Sequence, residues 1–123
     1  MAANLDIRGF SKFAATVDSA FAMVYLRKVY VALIDAYVPD GAFFKLTGDG
    51  LLLVQEFEEP QLGEVVRAAV GRSLDVLETF PSLCKDDPMI PFATPPQVGV
   101  GLSWGTASSL IAGKTVWTTA ANR

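Results

Sequence analysis

The chain contains no histidine and only one cysteine, Cys84. Histidine-ligated zinc, serine–histidine–aspartate triads and cysteine–histidine dyads are therefore excluded within it. A single thiol permits neither an internal disulfide nor a thiolate cluster. Charge is also sparse: charged residues make up 19% of the chain and the net charge is −3. Nothing in that balance provides a basic surface for nucleic acid. No apolar run approaches the roughly 20 residues that span a bilayer. The opening Met1-Ala2-Ala3-Asn4-Leu5-Asp6 lacks the basic start and apolar block of a signal peptide. No membrane association and a cytoplasmic location are the resulting expectations. Chemistry is left to carboxylates, lysine, arginine, hydroxyls and the backbone. Carboxylates favour hard cations such as magnesium or manganese.

What is present is apolar. Hydrophobic residues make up 51% of the 123 positions, which excludes an intrinsically disordered chain. The length suits a single domain, 1–123, with one hydrophobic core. Asn4 to Ile7 reads as a short strand, broken by Arg8-Gly9. Ser11 is a candidate cap for a short helix containing Phe13, Ala14 and Val17. Asp18 or Ser19 opens a longer helix, with Ala22, Leu26, Val29, Tyr30, Leu33 and Tyr37 on one apolar face. Pro39-Asp40-Gly41 stops it.

Two apolar runs, Ala42 to Leu46 and Leu51 to Phe57, flank Gly48-Asp49-Gly50 and predict a β-hairpin. Pro60 suits the first turn of a further helix, whose stripe would be Leu62, Val66, Ala69, Val70, Ser73 and Leu77. The proline-rich stretch from Pro81 to Pro96 predicts a long, exposed loop. Gln97 to Trp104 alternates like a strand, and Ser108 to Ala112 and Thr115 to Trp117 form a second strand pair around Gly113-Lys114. The order β-α-β-β-α-β predicts an α+β, ferredoxin-like sheet with helices on one face. In that topology the third strand lies between the first two and is antiparallel to both. The end of the first strand and the hairpin then meet at one edge. Asp6 and Asp49 stand at those two places.

Two strings carry a resemblance: Asp6-Ile7-Arg8-Gly9-Phe10-Ser11 and Lys45-Leu46-Thr47-Gly48-Asp49-Gly50. They resemble the D-I-x-G-F-[ST] start and the K-x-x-G-D-[GA] hairpin of class III adenylate and guanylate cyclase catalytic domains. Val98-Gly99-Val100-Gly101 through Gly105 is similar to their fourth strand. The resemblance implies a nucleotide cyclase that converts a ribonucleoside triphosphate to a 3′,5′-cyclic nucleotide and pyrophosphate with two magnesium or manganese ions. Asp6 and Asp49 would be the catalytic metal ligands, joined by the backbone carbonyl of Ile7. Gly9, Phe10 and Ser11 would bind the triphosphate through a helix N-terminus. Lys45 and Thr118 would contact the base. The family builds its sites across a homodimer, so a second copy is the implied partner.

Lys45 leans towards ATP, whereas Thr118 suits adenine poorly. The short layout also resembles standalone bacterial pyrimidine cyclases of antiphage defence, which use UTP or CTP. Beyond the position of Thr118 the family continues through a glycine into V-N-x-A-x-R, its source of ribose-positioning and transition-state residues, whereas this chain reads Thr119-Ala120-Ala121-Asn122-Arg123. The expectation is a C-terminally shortened domain. The alternative reading is a catalytically degenerate cyclase fold that serves as a nucleotide-binding or dimerising module. A diguanylate-cyclase-like domain fits less well, because Thr47-Gly48-Asp49-Gly50 is not its G-G-[DE]-[DE]-F hairpin. Outside these motifs, Trp104 and Trp117 read as packing or dimer-surface residues. Arg8 fills a variable position and is expected to face solvent.

Overall fold

The structure, a computed structural model, describes residues 1–112 and 115–122, with side chains described as far as residue 105. Its elements run β1 (Ala2–Ile7), α1 (Phe10–Thr16), α2 (Ser19–Tyr37), β2 (Phe43–Leu46), β3 (Gly50–Val54), α3 (Leu62–Thr79), β4 (Val98–Ser103), β5 (Gly105–Ala112) and β6 (Thr115–Asn122). Short 3-10 turns at Glu59–Gln61 and Phe80–Ser82 flank α3. The architecture is α+β, with a four-stranded sheet in the order β2-β3-β1-β4. Every pairing in that sheet is antiparallel. β3 thus lies between β1 and β2, as the hairpin argument requires. β5 and β6 pair with each other in a separate two-stranded sheet. Among the described residues no helix is long and apolar enough to cross a membrane.

Strand alternation sets the faces. Ala3, Leu5 and Ile7 are buried while Asn4 is exposed, the period of two of a half-buried strand. Leu5 pairs with Leu51 on one side and Val100 on the other, so one apolar row crosses three strands. That row packs with Tyr25, Val29, Leu33 and Tyr37 of α2 and Val76 of α3 in one core. The Asp18 carboxylate caps α2 by accepting from the Ala20 N–H at 2.9 Å. The two long helices also share a buried polar join. Ser73 donates to the Ala69 carbonyl at 2.7 Å, and its oxygen lies 3.0 Å from the Tyr37 hydroxyl. With its own proton engaged, Ser73 accepts from Tyr37.

Several local expectations are corrected. Ser11 does not cap α1; Gly9 does, at φ 73°, with no side-chain bond. The chain leaves β1 so sharply that it needs the left-handed conformation a glycine adopts cheaply. On α2 Tyr25 is fully buried along with Tyr37, whereas Leu26 and Tyr30 are half-buried. On α3 the buried line is Ala69, Ser73 and Val76, while Val70 and Leu77 lie one position round the helix and are exposed. β3 ends at Val54, short of Phe57.

The proline-rich loop is only partly exposed. Phe80, Ile90 and Pro95 are buried. Phe92 sits 5.9 Å from the ring of Phe13 and 5.4 Å from that of Phe21. Apolar residues between the prolines draw the loop onto α1 and α2. The last two strands are longer than expected, and Gly113-Lys114 and Arg123 lie outside the described residues.

Candidate functional site

β1 is hydrogen-bonded on both sides, which fixes Asp6 at a defined register. It stands opposite Gly50 of β3 and Gly99 of β4. The next residue makes the link to the hairpin: the Ile7 N–H donates to the Asp49 carbonyl at 2.8 Å. The backbones of the two aspartates, far apart in sequence, therefore meet at one end of the sheet.

The hairpin that presents Asp49 is tightly specified. Gly48 has φ 84°, a conformation strained for any side chain. Gly50 has room for none, because a Cβ there would overlap the Leu5 carbonyl oxygen. The Thr47 N–H donates to the Gly50 carbonyl at 3.0 Å. From α2, the Tyr30 hydroxyl donates to the Gly48 carbonyl at 2.8 Å and ties the turn to the helix. Burial raises the Tyr30 pKa, and the nearby negative charge of Asp49 raises it further. The Asp49 carboxylate thus acts on the phenol that holds its own loop.

Asp6 has a different neighbour. Its Oδ1 lies 3.5 Å from Arg8 Nε, with the two side chains 44% and 64% exposed respectively. Arg8 does not simply face solvent: a Cβ on Gly99 would overlap its guanidinium. The arginine lies across β4 at Gly99, where no side chain stands in its way. Its own N–H donates to the Gln97 carbonyl at 3.0 Å.

α1 begins immediately beyond this point. The Phe13 N–H bonds the Gly9 carbonyl at 3.0 Å, so the preceding amides at Phe10, Ser11 and Lys12 lack intrahelical partners, as at any helix start. Phe10 and Phe13 fix the helix by packing on Tyr25, with ring centroids 6.5 Å and 5.0 Å away.

The base-contact candidates stand on other strands. Lys45 is exposed on β2 and pairs with Leu52, which in turn faces Asn4. Two strand spacings and two residues of rise separate it from the Asp6 row, roughly 12 Å along the sheet. Thr118 stands on β6 opposite Ser109, and its side chain lies outside those described. A cavity of about 430 Å³ lined by Leu62, Leu102 and Trp104 lies at the far end of the ladder, where Ser103 pairs with Ala2. It is remote from both aspartates.

The residues at the Asp6 end suit a hard divalent cation. Two carboxylates and backbone carbonyls are the donors magnesium and manganese accept, and magnesium commonly uses only one or two carboxylates, with water and phosphate completing its shell. Among the described residues no group of three or more carboxylate or cysteine side chains is placed to hold a metal. The fit rests on the Asp6–Asp49 pair.

Compared with known proteins, no family model matches the chain, and no curated protein and no solved structure matches it.

Sequence reasoning missed two participants. Tyr30 was visible only as one member of an apolar helix face. The Arg8–Asp6 pair had a weaker signal, opposite charges two residues apart at the end of β1.

Proposed function

We propose that the chain is a nucleotide cyclase of the class III type, built on a ferredoxin-like sheet with its helices on one face. It would convert a ribonucleoside triphosphate to a 3′,5′-cyclic nucleotide and pyrophosphate. The observation that carries this reading is the meeting of the Asp6 and Asp49 backbones through the Ile7–Asp49 hydrogen bond, within two strings that resemble the family's metal motifs. Asp6, Asp49 and the Ile7 carbonyl would hold magnesium or manganese. When bound, the ions would activate the ribose 3′-hydroxyl and neutralise charge on the departing pyrophosphate. Phosphoryl transfer of this kind needs positioning and charge neutralisation more than a protein base, which suits a chain without histidine.

The chain's own residues supply the positioning. The Gly9-Phe10-Ser11 turn offers backbone N–H groups to the triphosphate at the start of α1. The aromatic packing of Phe10 and Phe13 on Tyr25 holds that turn still. Lys45 is the base-contact candidate, with Thr118 the second. The separation of Lys45 from Asp6 favours a site completed by a second copy, Lys45 of one protomer serving the Asp6 of its partner.

The test is incubation of the protein with manganese and, in turn, ATP, GTP, UTP and CTP, with chromatographic detection of cyclic product. Product from at least one, abolished by Asp6→Asn and by Asp49→Asn, is expected. Turnover of none overturns the cyclase reading. The second reading is a nucleotide-binding or dimerising module. Manganese-dependent triphosphate binding without turnover would select it.

A further inference from the structure

We propose that Arg8 is a resident counter-ion of Asp6, seated by Gly99, which a divalent cation must displace before Asp6 can act as a ligand. The inference rests on the reading of Asp6 as a metal ligand and adds a residue that controls access to it. Three observations carry it. Arg8 Nε lies 3.5 Å from Asp6 Oδ1. Gly99 pairs directly with Asp6 across the β1–β4 ladder. A Cβ built on Gly99 would overlap Nε, Cζ and an Nη of the same guanidinium. The atom that faces the carboxylate is thus among those that the missing side chain at 99 admits. Any residue other than glycine at 99 would force the guanidinium to shift from its place beside Asp6.

The pair is poised for exchange. Both side chains reach solvent, and an exposed ion pair of this kind is weak. A divalent ion approaching Asp6 meets a positive charge already beside that carboxylate, and the two cations repel. A displaced Arg8 also has somewhere to go: it borders a cavity of about 410 Å³ shared with Pro96, Gln97 and Val98. Arg8 is therefore a positioning residue with a restraining effect. It neutralises Asp6 while the site is empty and raises the divalent concentration at which the site fills.

The test is a manganese titration followed by electron paramagnetic resonance of the free ion. Wild type, Arg8→Gln, Gly99→Ala, the double variant and Asp6→Asn would be compared, each checked for its fold by circular dichroism. Arg8→Gln is expected to bind manganese about two- to fivefold more tightly than wild type, the size of an exposed ion pair. Gly99→Ala should shift in the same direction by expelling the guanidinium. The double variant should be no tighter than Arg8→Gln alone, because both changes remove the same interaction. A purely structural Arg8 would not produce that non-additivity. Unchanged or weaker binding in Arg8→Gln, with binding still lost in Asp6→Asn, overturns the counter-ion and leaves the metal site standing. Equal binding by wild type and Asp6→Asn overturns the metal site and the counter-ion together.

Discussion

The two carboxylates of the candidate site are held in opposite ways. Asp6 lies in β1, the strand paired on both edges, and its backbone position is set by two ladders. Asp49 lies in a turn, and its position depends on a few particular contacts: Ile7 N–H, the Tyr30 hydroxyl, Gly48 at a positive φ, and Gly50, which has no room for a side chain. Sheet pairing is distributed over many residues and tolerates change at any one of them. A turn fastened at a few points does not. Loss of the Tyr30 fastening should therefore move Asp49 and leave Asp6 in place, whereas Gly50, which also pairs with Asp6, bears on both.

The sharpest way to break this contrast is Gly50→Val. The new Cβ would be driven into the Leu5 carbonyl, forcing β3 away from β1. A loss of about 2–4 kcal/mol in urea unfolding is expected. Unchanged stability would show that the close approach of Gly50 does not matter.

A smaller effect is expected from Tyr30→Phe, which removes one hydrogen bond to the Gly48 carbonyl. The cost should be about 1 kcal/mol, and the alkaline limb of stability should change with it. The folded-state pKa of Tyr30 is raised, by burial first and by Asp49 second. Its contribution is fully present below the unfolded value near 10 and is lost as pH rises through the higher folded value. Tyr30→Phe should flatten part of that decline. Tyr25, whose buried hydroxyl has no hydrogen-bond partner among the described residues and is also pushed up by burial, should sustain the rest. An unaltered alkaline slope in urea unfolding between pH 9 and 11 would remove Tyr30 from the account.

The difference between the two carboxylates also marks what could be read in the sequence. Hydrophobic period together with turn and cap residues made β1, α2, α3 and the hairpin legible: Asp18, Pro60 and Gly48-Asp49-Gly50 mark where the apolar faces begin or break. The α-β-β order then placed Asp6 beside the hairpin. Choices within an element were less legible. Whether Tyr25 or Leu26 is fully buried depends on which way α2 is rolled, and that roll is decided by Phe10, Phe13 and Phe92 packing from other elements. The proline count suggested an exposed loop, but Ile90 and Phe92 outweigh it by finding apolar surface. The glycines were visible as turn residues. That Gly50 and Gly99 are needed for close approach, one to a carbonyl and the other to Arg8, requires the ladder register to be known.

The most direct test of the central claim is a calorimetric manganese titration of wild type, Asp6→Asn and Asp49→Asn. Both aspartates are exposed or half-exposed, so either change should alter stability by less than about 0.5 kcal/mol and leave the fold intact. The account predicts that each substitution alone abolishes wild-type manganese binding, because one site needs both carboxylates. Retention of wild-type affinity by either variant would contradict it.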